Sequence, residues 1–146
     1  MKEWLSGGLG DNNVNPMPIS NFGFWKVKGT DPNSDFSYNA GTILMRDTDG
    51  YLIPHDGSSA TAYVLKGDVK GKAGKKVAVG MVAIGVVNLT AYGDINDGDF
   101  VDIHDAANGV VAKAAPADVD ELYKIRGKAL QNASDGDRLA IMWGVL

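Results

Sequence analysis

Residues 77–87, V-A-V-G-M-V-A-I-G-V-V, form the longest nearly unbroken apolar run of the chain, and charged, turn-rich segments bound it on both sides. Length alone allows a buried helix or a buried strand. Composition decides for the strand. Val77, Val79, Val82, Ile84, Val86 and Val87 are β-branched, and Gly80 and Gly85 would each cost a helix interior about 1 kcal/mol against alanine. Side-chain bulk sits on odd positions at Val77, Val79 and Met81, then on even ones at Val82, Ile84 and Val86. A bulge or bend near residues 80–82 explains the change of face, and a strand buried on both sides is the alternative. The run is expected at the centre of an all-β fold.

The rest of the chain agrees with β structure. Glycine makes up 19 of 146 residues, about 13% against a typical ~7%, and D-G and N-G pairs punctuate short apolar segments. Residues 40–54 read as strand, turn, strand around Asp49-Gly50, and a second hairpin signal follows at Asn108-Gly109. Residues 66–76, K-G-D-V-K-G-K-A-G-K-K, read as a basic loop leading into the central run. A strand over F-V-D-I-H-D places Phe100, Asp102 and His104 on one face. The one expected helical turn spans 116–122, with Pro116 near its start and Asp118, Asp120 and Glu121 near its positive end. A pseudo-repeat overlays Gly41-Thr42-Ile43-Leu44 with Asp49-Gly50 on Gly98-Asp99-Phe100-Val101 with Asn108-Gly109. It also overlays residues 74–79 on 136–141. Two such units predict a small closed or half-closed glycine-rich barrel over 40–146.

Residues 1–39 differ in texture. Gly, Asn, Pro and Ser dominate, without a sustained period before a short strand expected near 22–28. Trp4, Leu5, Phe22, Phe24 and Trp25 are embedded there, whereas disordered tails are poor in aromatics. The segment either folds back onto its own domain or is an arm that docks on another chain.

Several function classes are expected to be absent. A net charge of −4 speaks against general nucleic-acid binding, no run has membrane-spanning length, and the first residues lack an apolar signal core. No cysteine occurs, which removes thiolate metal sites and a cysteine nucleophile. His55 and His104 each precede an aspartate but lack metal-ligand spacing, and are read as solvated turn residues. The aspartates of 47–50 and 94–99 are turn residues, since position 12 of a calcium loop falls on Ser58 or Asp105. Residues 71–76 lack the phosphate-loop spacing and precede a strand. Lys70, Lys72, Lys75 and Lys76 are instead a candidate docking patch for an acidic protein surface. Ser58-Ser59 lies in no nucleophile elbow. No catalytic residue, cofactor or metal is expected. A concave carbohydrate or ligand site would draw on Tyr51, Tyr63, Tyr92 or Trp143, for which core packing is the competing role.

Two resemblances bear on function. A-G-T-I-L…Y-L-I-P and G-V-V-N-L-T-A-Y-G-D-I are similar to segments of trimeric dUTP pyrophosphatases. Asn88, however, stands near the place of that family's water-activating aspartate, and its R-S-G motif is missing. Over residues 40–146, the series A-G-T-I-L, D-G-Y-L-I-P, G-V-V-N-L-T-A, I-N-D-G-D-F-V, A-N-G-V-V-A-K, R-G-K-A-L-Q-N-A and G-D-R-L-A-I resembles the head decoration (cement) proteins of tailed bacteriophages. That resemblance implies a β-barrel or β-tulip core and a homotrimer on the outer surface of a virion capsid. It further implies a major capsid protein as partner and an N-terminal arm that reaches neighbouring capsid subunits, with stabilisation of the head against packaged DNA. It carries no catalytic motif, and the aromatic segment 1–39 departs from it.

Overall fold

A computed structural model describes residues 25–144 and contains only β-strands and one short 3-10 helix in that range. The strands are β1 (Lys26–Lys28), β2 (Phe36–Tyr38), β3 (Ile43–Arg46), β4 (Leu52–Pro54), β5 (Tyr63–Leu65), β6 (Val69–Gly71), β7 (Lys76–Ala78), β8 (Met81–Val82), β9 (Gly85–Tyr92), β10 (Phe100–Asp105), β11 (Val110–Lys113), β12 (Gly127–Ala129) and β13 (Arg138–Trp143). A six-stranded sheet has the order β7-β1-β4-β3-β5-β8, a closed barrel the order β10-β11-β9-β13-β12, and β2 and β6 form a separate ribbon. The expected small all-β architecture is present.

The pseudo-repeat is visible in the strand pairing. In the sheet, β7 is antiparallel to β1, β1 parallel to β4, β4 antiparallel to β3, and β3 antiparallel to β5. The barrel repeats this series as β13, β9, β11, β10 and β12 with the same directions at every step. One difference separates the units. In the barrel β12 pairs back to β13 and closes the ring, whereas β5 pairs with β8 and the sheet stays open. The described part of the 1–39 segment supplies the first unit with β1 and the ribbon with β2.

Burial follows the period of two. In β9, Gly85, Val87, Leu89 and Ala91 point into the barrel and alternate with Val86, Asn88, Thr90 and Tyr92 outside. Val101, Val111, Ala129, Leu139, Ile141 and Trp143 complete that core. β3 and β5 are apolar on both faces because they have cores on both sides. Ile43 and Val64 join the barrel core, while Leu44 and Leu65 join a second core with Val27, Leu52, Val69 and Met81, capped by Phe36 and Tyr38 of the ribbon. The layers are therefore barrel, sheet and ribbon.

Residues 77–87 are not one central strand. They break into β7, β8 and the start of β9, at the two edges of the sheet and in the barrel wall. The run does divide between the two cores, with Met81 in the second core and Val87 in the barrel core, but the expected change of face does not occur. Burial stays on the odd positions, and the bulky even ones face outward, Ile84 37% and Val86 54% exposed. Residues 66–76 are also more than a loop, because β6 pairs there with β2. The helical turn falls later than expected, at Val119–Lys124, capped by Asp118 whose side chain accepts from the Asp120 N–H. Pro116 precedes it.

The hairpin turns use their glycines differently. At residues 47–51 the Asp47 carboxylate accepts from the N–H groups of Asp49 and Tyr51 and pairs with Lys28 at 2.5 Å, so it is a turn residue as expected. Gly109 sits at φ 64°, and a Cβ there would lie 2.6 Å from the Gly41 carbonyl oxygen. Only glycine satisfies both the left-handed backbone and this approach of the barrel hairpin to the sheet. The Ile43 N–H to Ala106 O and Thr42 Oγ1 to Ala107 O hydrogen bonds hold the same seam.

Candidate functional site

Sheet and barrel are joined by polar side chains that grip one loop. Residues 55–62 connect β4 to β5 across the junction. His55 is buried, and its Nε2 lies 3.1 Å from both the Ser59 and Thr61 carbonyl oxygens while Nδ1 accepts from the Gly57 N–H at 2.8 Å. These partners define the neutral tautomer with the proton on Nε2. From the barrel side, Arg126 Nη1 donates to the Ser59 and Ala60 carbonyls at 2.9 and 3.0 Å, and Trp143 Nε1 donates to Ala62 O at 3.0 Å. Three buried donors thus meet four carbonyls of one loop. His55 is therefore a structural clasp and not the solvated turn residue the sequence suggests.

A cleft of about 290 Å³ opens beside this clasp, lined by His55 and Asp56 on the sheet side and by Asp102, His104, Lys124 and Arg126 on the barrel side. Phe100, Asp102 and His104 do share the outer face of β10, and a bulge between Ile103 and Asp105 interrupts the ladder at His104. His104 is exposed and stacks on Tyr92, with ring centroids 3.7 Å apart and planes 12° from parallel. The Arg126 side chain is 3% exposed, yet its Nε has no hydrogen-bond partner, the Asp102 Oδ1 lying 3.6 Å away. Lys124 is engaged by Glu121 at 2.6 Å. Ser58 donates to Asp56 through both its hydroxyl and its N–H, which holds the Asp56 carboxyl below the usual range. Among the described residues, no group of three or more His, Asp or Glu is placed to hold a metal ion.

Burial lowers the pKa of His55, and the positive charge of Arg126 lowers it further. The folded state therefore favours the neutral ring, and the unfolded chain binds the additional proton once the pH drops below the ordinary histidine value near 6.5. Stability contributed by the clasp is full above that value and is lost as the pH falls through the folded-state pKa. The urea midpoint is expected to fall between pH 7.5 and pH 5, above the range where carboxylates titrate. His55→Gln, which keeps a donor for the loop carbonyls, is expected to flatten that dependence. An unchanged slope in the variant would remove His55 as its source.

The candidate residues named from sequence are dispersed. Trp4, Leu5, Phe22 and Phe24 lie outside the described residues. Trp25 is half-buried at the head of β1, between the Arg46 guanidinium at 3.7 Å from its ring centroid and Tyr63 at 5.3 Å. Lys70 and Lys72 border a groove beside the ribbon with Asp35 and Phe36, and Lys72 pairs with Asp35 at 3.2 Å. Lys75 and Lys76 border a separate groove with Lys28 and Tyr51, where the Lys76 Nζ stands 4.6 Å from the Tyr51 ring centroid. Trp143 is core, but Tyr92 is 54% exposed and not core.

The barrel wall carries a further surface that was not singled out from sequence. Val86 lies opposite Met142, Met142 opposite Lys128 and Lys128 opposite Phe100, so these outward side chains form one row across β9, β13, β12 and β10. Val86 is 54% and Phe100 44% exposed, and Leu130, just beyond β12, is 42% exposed. The even-numbered bulk of residues 82–86 was the available signal, misread as a core face.

No protein-family model matches the chain, and no curated protein sequence matches it. Among solved structures, it is similar to the head fiber gp8.5 N base of bacteriophage phi29, with a TM-score of 0.52 and 18% identity over 82% of this chain and 91% of that one. The likeness is one of fold.

Proposed function

We propose that this chain is a structural protein of a phage head, a decoration protein that binds the outer surface of the capsid. The observation that carries the proposal is the fold shared with the phi29 head fiber base over 82% of this chain and 91% of that one. The resemblance of residues 40–146 to head decoration proteins points the same way. The role is one of binding, without catalysis or cofactor. A homotrimer sits over a junction of major capsid subunits, with the outward face of Val86, Met142, Phe100 and Leu130, and Lys128 among them, as the contact between protomers. Residues 1–24 reach across to neighbouring subunits. Main-chain pairing at a capsid sheet edge supplies affinity, and Trp4, Leu5, Phe22 and Phe24 fill pockets. Trp25, held by Arg46 and Tyr63, is the root of the arm. Three tethered arms raise avidity without stronger single contacts, and the clamp opposes the outward pressure of packaged DNA.

The test is to mix the protein with undecorated heads and image the product. A deletion has to stop at residue 24, because β1 and β2 belong to the folded body. The truncated chain is expected to keep its circular dichroism spectrum and to lose most of its occupancy on heads. Full occupancy by the truncated chain would sink the arm, and no occupancy by the intact chain would sink head binding altogether.

A further inference from the structure

We infer that the cleft between sheet and barrel is a binding site for a neutral, hydroxyl-rich ligand, one sugar ring of a saccharide. The inference does not rest on head association. Its volume of about 290 Å³ falls just below that of drug-sized ligand sites, which run from roughly 300 to 1,000 Å³, and it opens where two packed units meet. The wall mixes both signs, Arg126 and the Glu121-paired Lys124 facing Asp56 and Asp102, with His55 held neutral by its burial. A free anion entering the cleft meets two carboxylates, and a free cation meets a guanidinium and an ammonium. A hydroxyl group is both donor and acceptor and suits both.

One spacing makes the match specific. The Arg126 Nε–H is buried and unpartnered, and the Asp102 Oδ1 stands 3.6 Å from it, too far for a direct hydrogen bond. A ligand hydroxyl beside both atoms accepts from Nε and donates to the carboxylate, which satisfies the one buried orphan among the described side chains. On the rim, His104 lines the cleft and carries the exposed Tyr92 ring stacked against it. An aromatic face with a polar tip packs against the C–H face of a sugar while its hydroxyl stays in water. Tyr92 is one of the aromatics the sequence offers for such a role; it stands behind His104, which covers one face of its ring and leaves the side chain 54% exposed.

The test is a titration of the intact chain followed by proton–nitrogen correlation spectra that include the arginine Nε–H signals. The probes are D-glucose, D-galactose and N-acetyl-D-glucosamine, each to roughly 50 mM, because binding per atom at ordinary ligand efficiency puts one sugar ring near a millimolar dissociation constant. Sodium acetate and glycerol are run in parallel. At least one sugar is expected to move the Arg126 Nε–H and the amides of Gly57, Ile103 and His104 saturably, with acetate and glycerol inert. Asp102→Ala and Tyr92→Ala are each expected to weaken that sugar about tenfold or more, a change of roughly 1.4 kcal/mol. Tyr92 is a surface residue, so its variant reports even where Asp102→Ala perturbs the junction. No saturable shift with any of the three sugars, equal shifts with acetate or glycerol, or sugar shifts untouched by both variants would each overturn the site.

Discussion

Replacing Trp143 by alanine is expected to remove about 4 kcal/mol of folding stability, near the middle of the range for buried tryptophan truncations. Trp143 is 1% exposed at the end of β13 and belongs to the barrel core with Leu139 and Ile141. Its indole N–H also crosses the junction to the Ala62 carbonyl at 3.0 Å, so truncation leaves a cavity and an unpaired acceptor together. Against a typical total of about 5–15 kcal/mol, that loss is between about a quarter and four-fifths of the whole. Trp143→Phe keeps most of the ring volume and loses only the hydrogen bond and some packing, so it is expected to cost about half as much or less. Urea unfolding curves give both numbers. A Trp143→Ala variant within about 1 kcal/mol of the parent would mean that the barrel core collapses freely around the gap.

How much of this was legible from residues alone depends on the range of the interaction. The all-β class, the two hairpin turns and the pseudo-repeat were legible because Asp49-Gly50, Asn108-Gly109 and the glycine-led strands are local signals. The length of the repeat was not. β1 has three residues with Val27 alone fully buried, too short a stretch to show a period, so the strand expected near 22–28 could not be assigned to the first unit of the repeat. Whether a unit closes was also hidden, since closure depends on β5 choosing β8 and β12 choosing β13 across long chain separations. Bulk misled where it faced solvent, as at Val86.

The clasp was hidden for a different reason. Arg126 lies in an ordinary strand-like stretch, and its acceptors are backbone carbonyls 66 and 67 residues away. No side-chain motif marks a carbonyl. His55 beside Asp56 looked like a turn pair, and only the fold reveals that its ring is filled by three backbone partners. Nothing in the sequence K-I-R-G-K sets Arg126 apart from its neighbours Lys124 and Lys128, and arginine is almost never fully buried without partners.

Arg126→Ala is expected to cost about 3 kcal/mol, toward the lower end for breaking a buried charged pair. Truncation leaves Ala60 O without its donor, leaves Ser59 O with His55 alone, and leaves Asp102 with the Ile103 N–H but without its nearby positive charge. Arg126→Lys retains the charge but not the fork that reaches two carbonyls, and is expected to recover less than half of the loss. Because His55 and Arg126 grip the same Ser59 carbonyl, their effects are not independent. The His55→Gln and Arg126→Ala double variant is expected to deviate from additivity by 0.5 kcal/mol or more, the order found for residues that share a partner. The electrostatic link runs the opposite way. Arg126 lowers the His55 pKa, so the Arg126→Ala protein is expected to lose less stability than the parent between pH 7.5 and pH 5. A single series of urea midpoints on the parent, both single variants and the double variant at two pH values measures all of these. Strict additivity at both pH values, with an unchanged pH slope in Arg126→Ala, would show that the two residues hold the junction separately and not as one clasp.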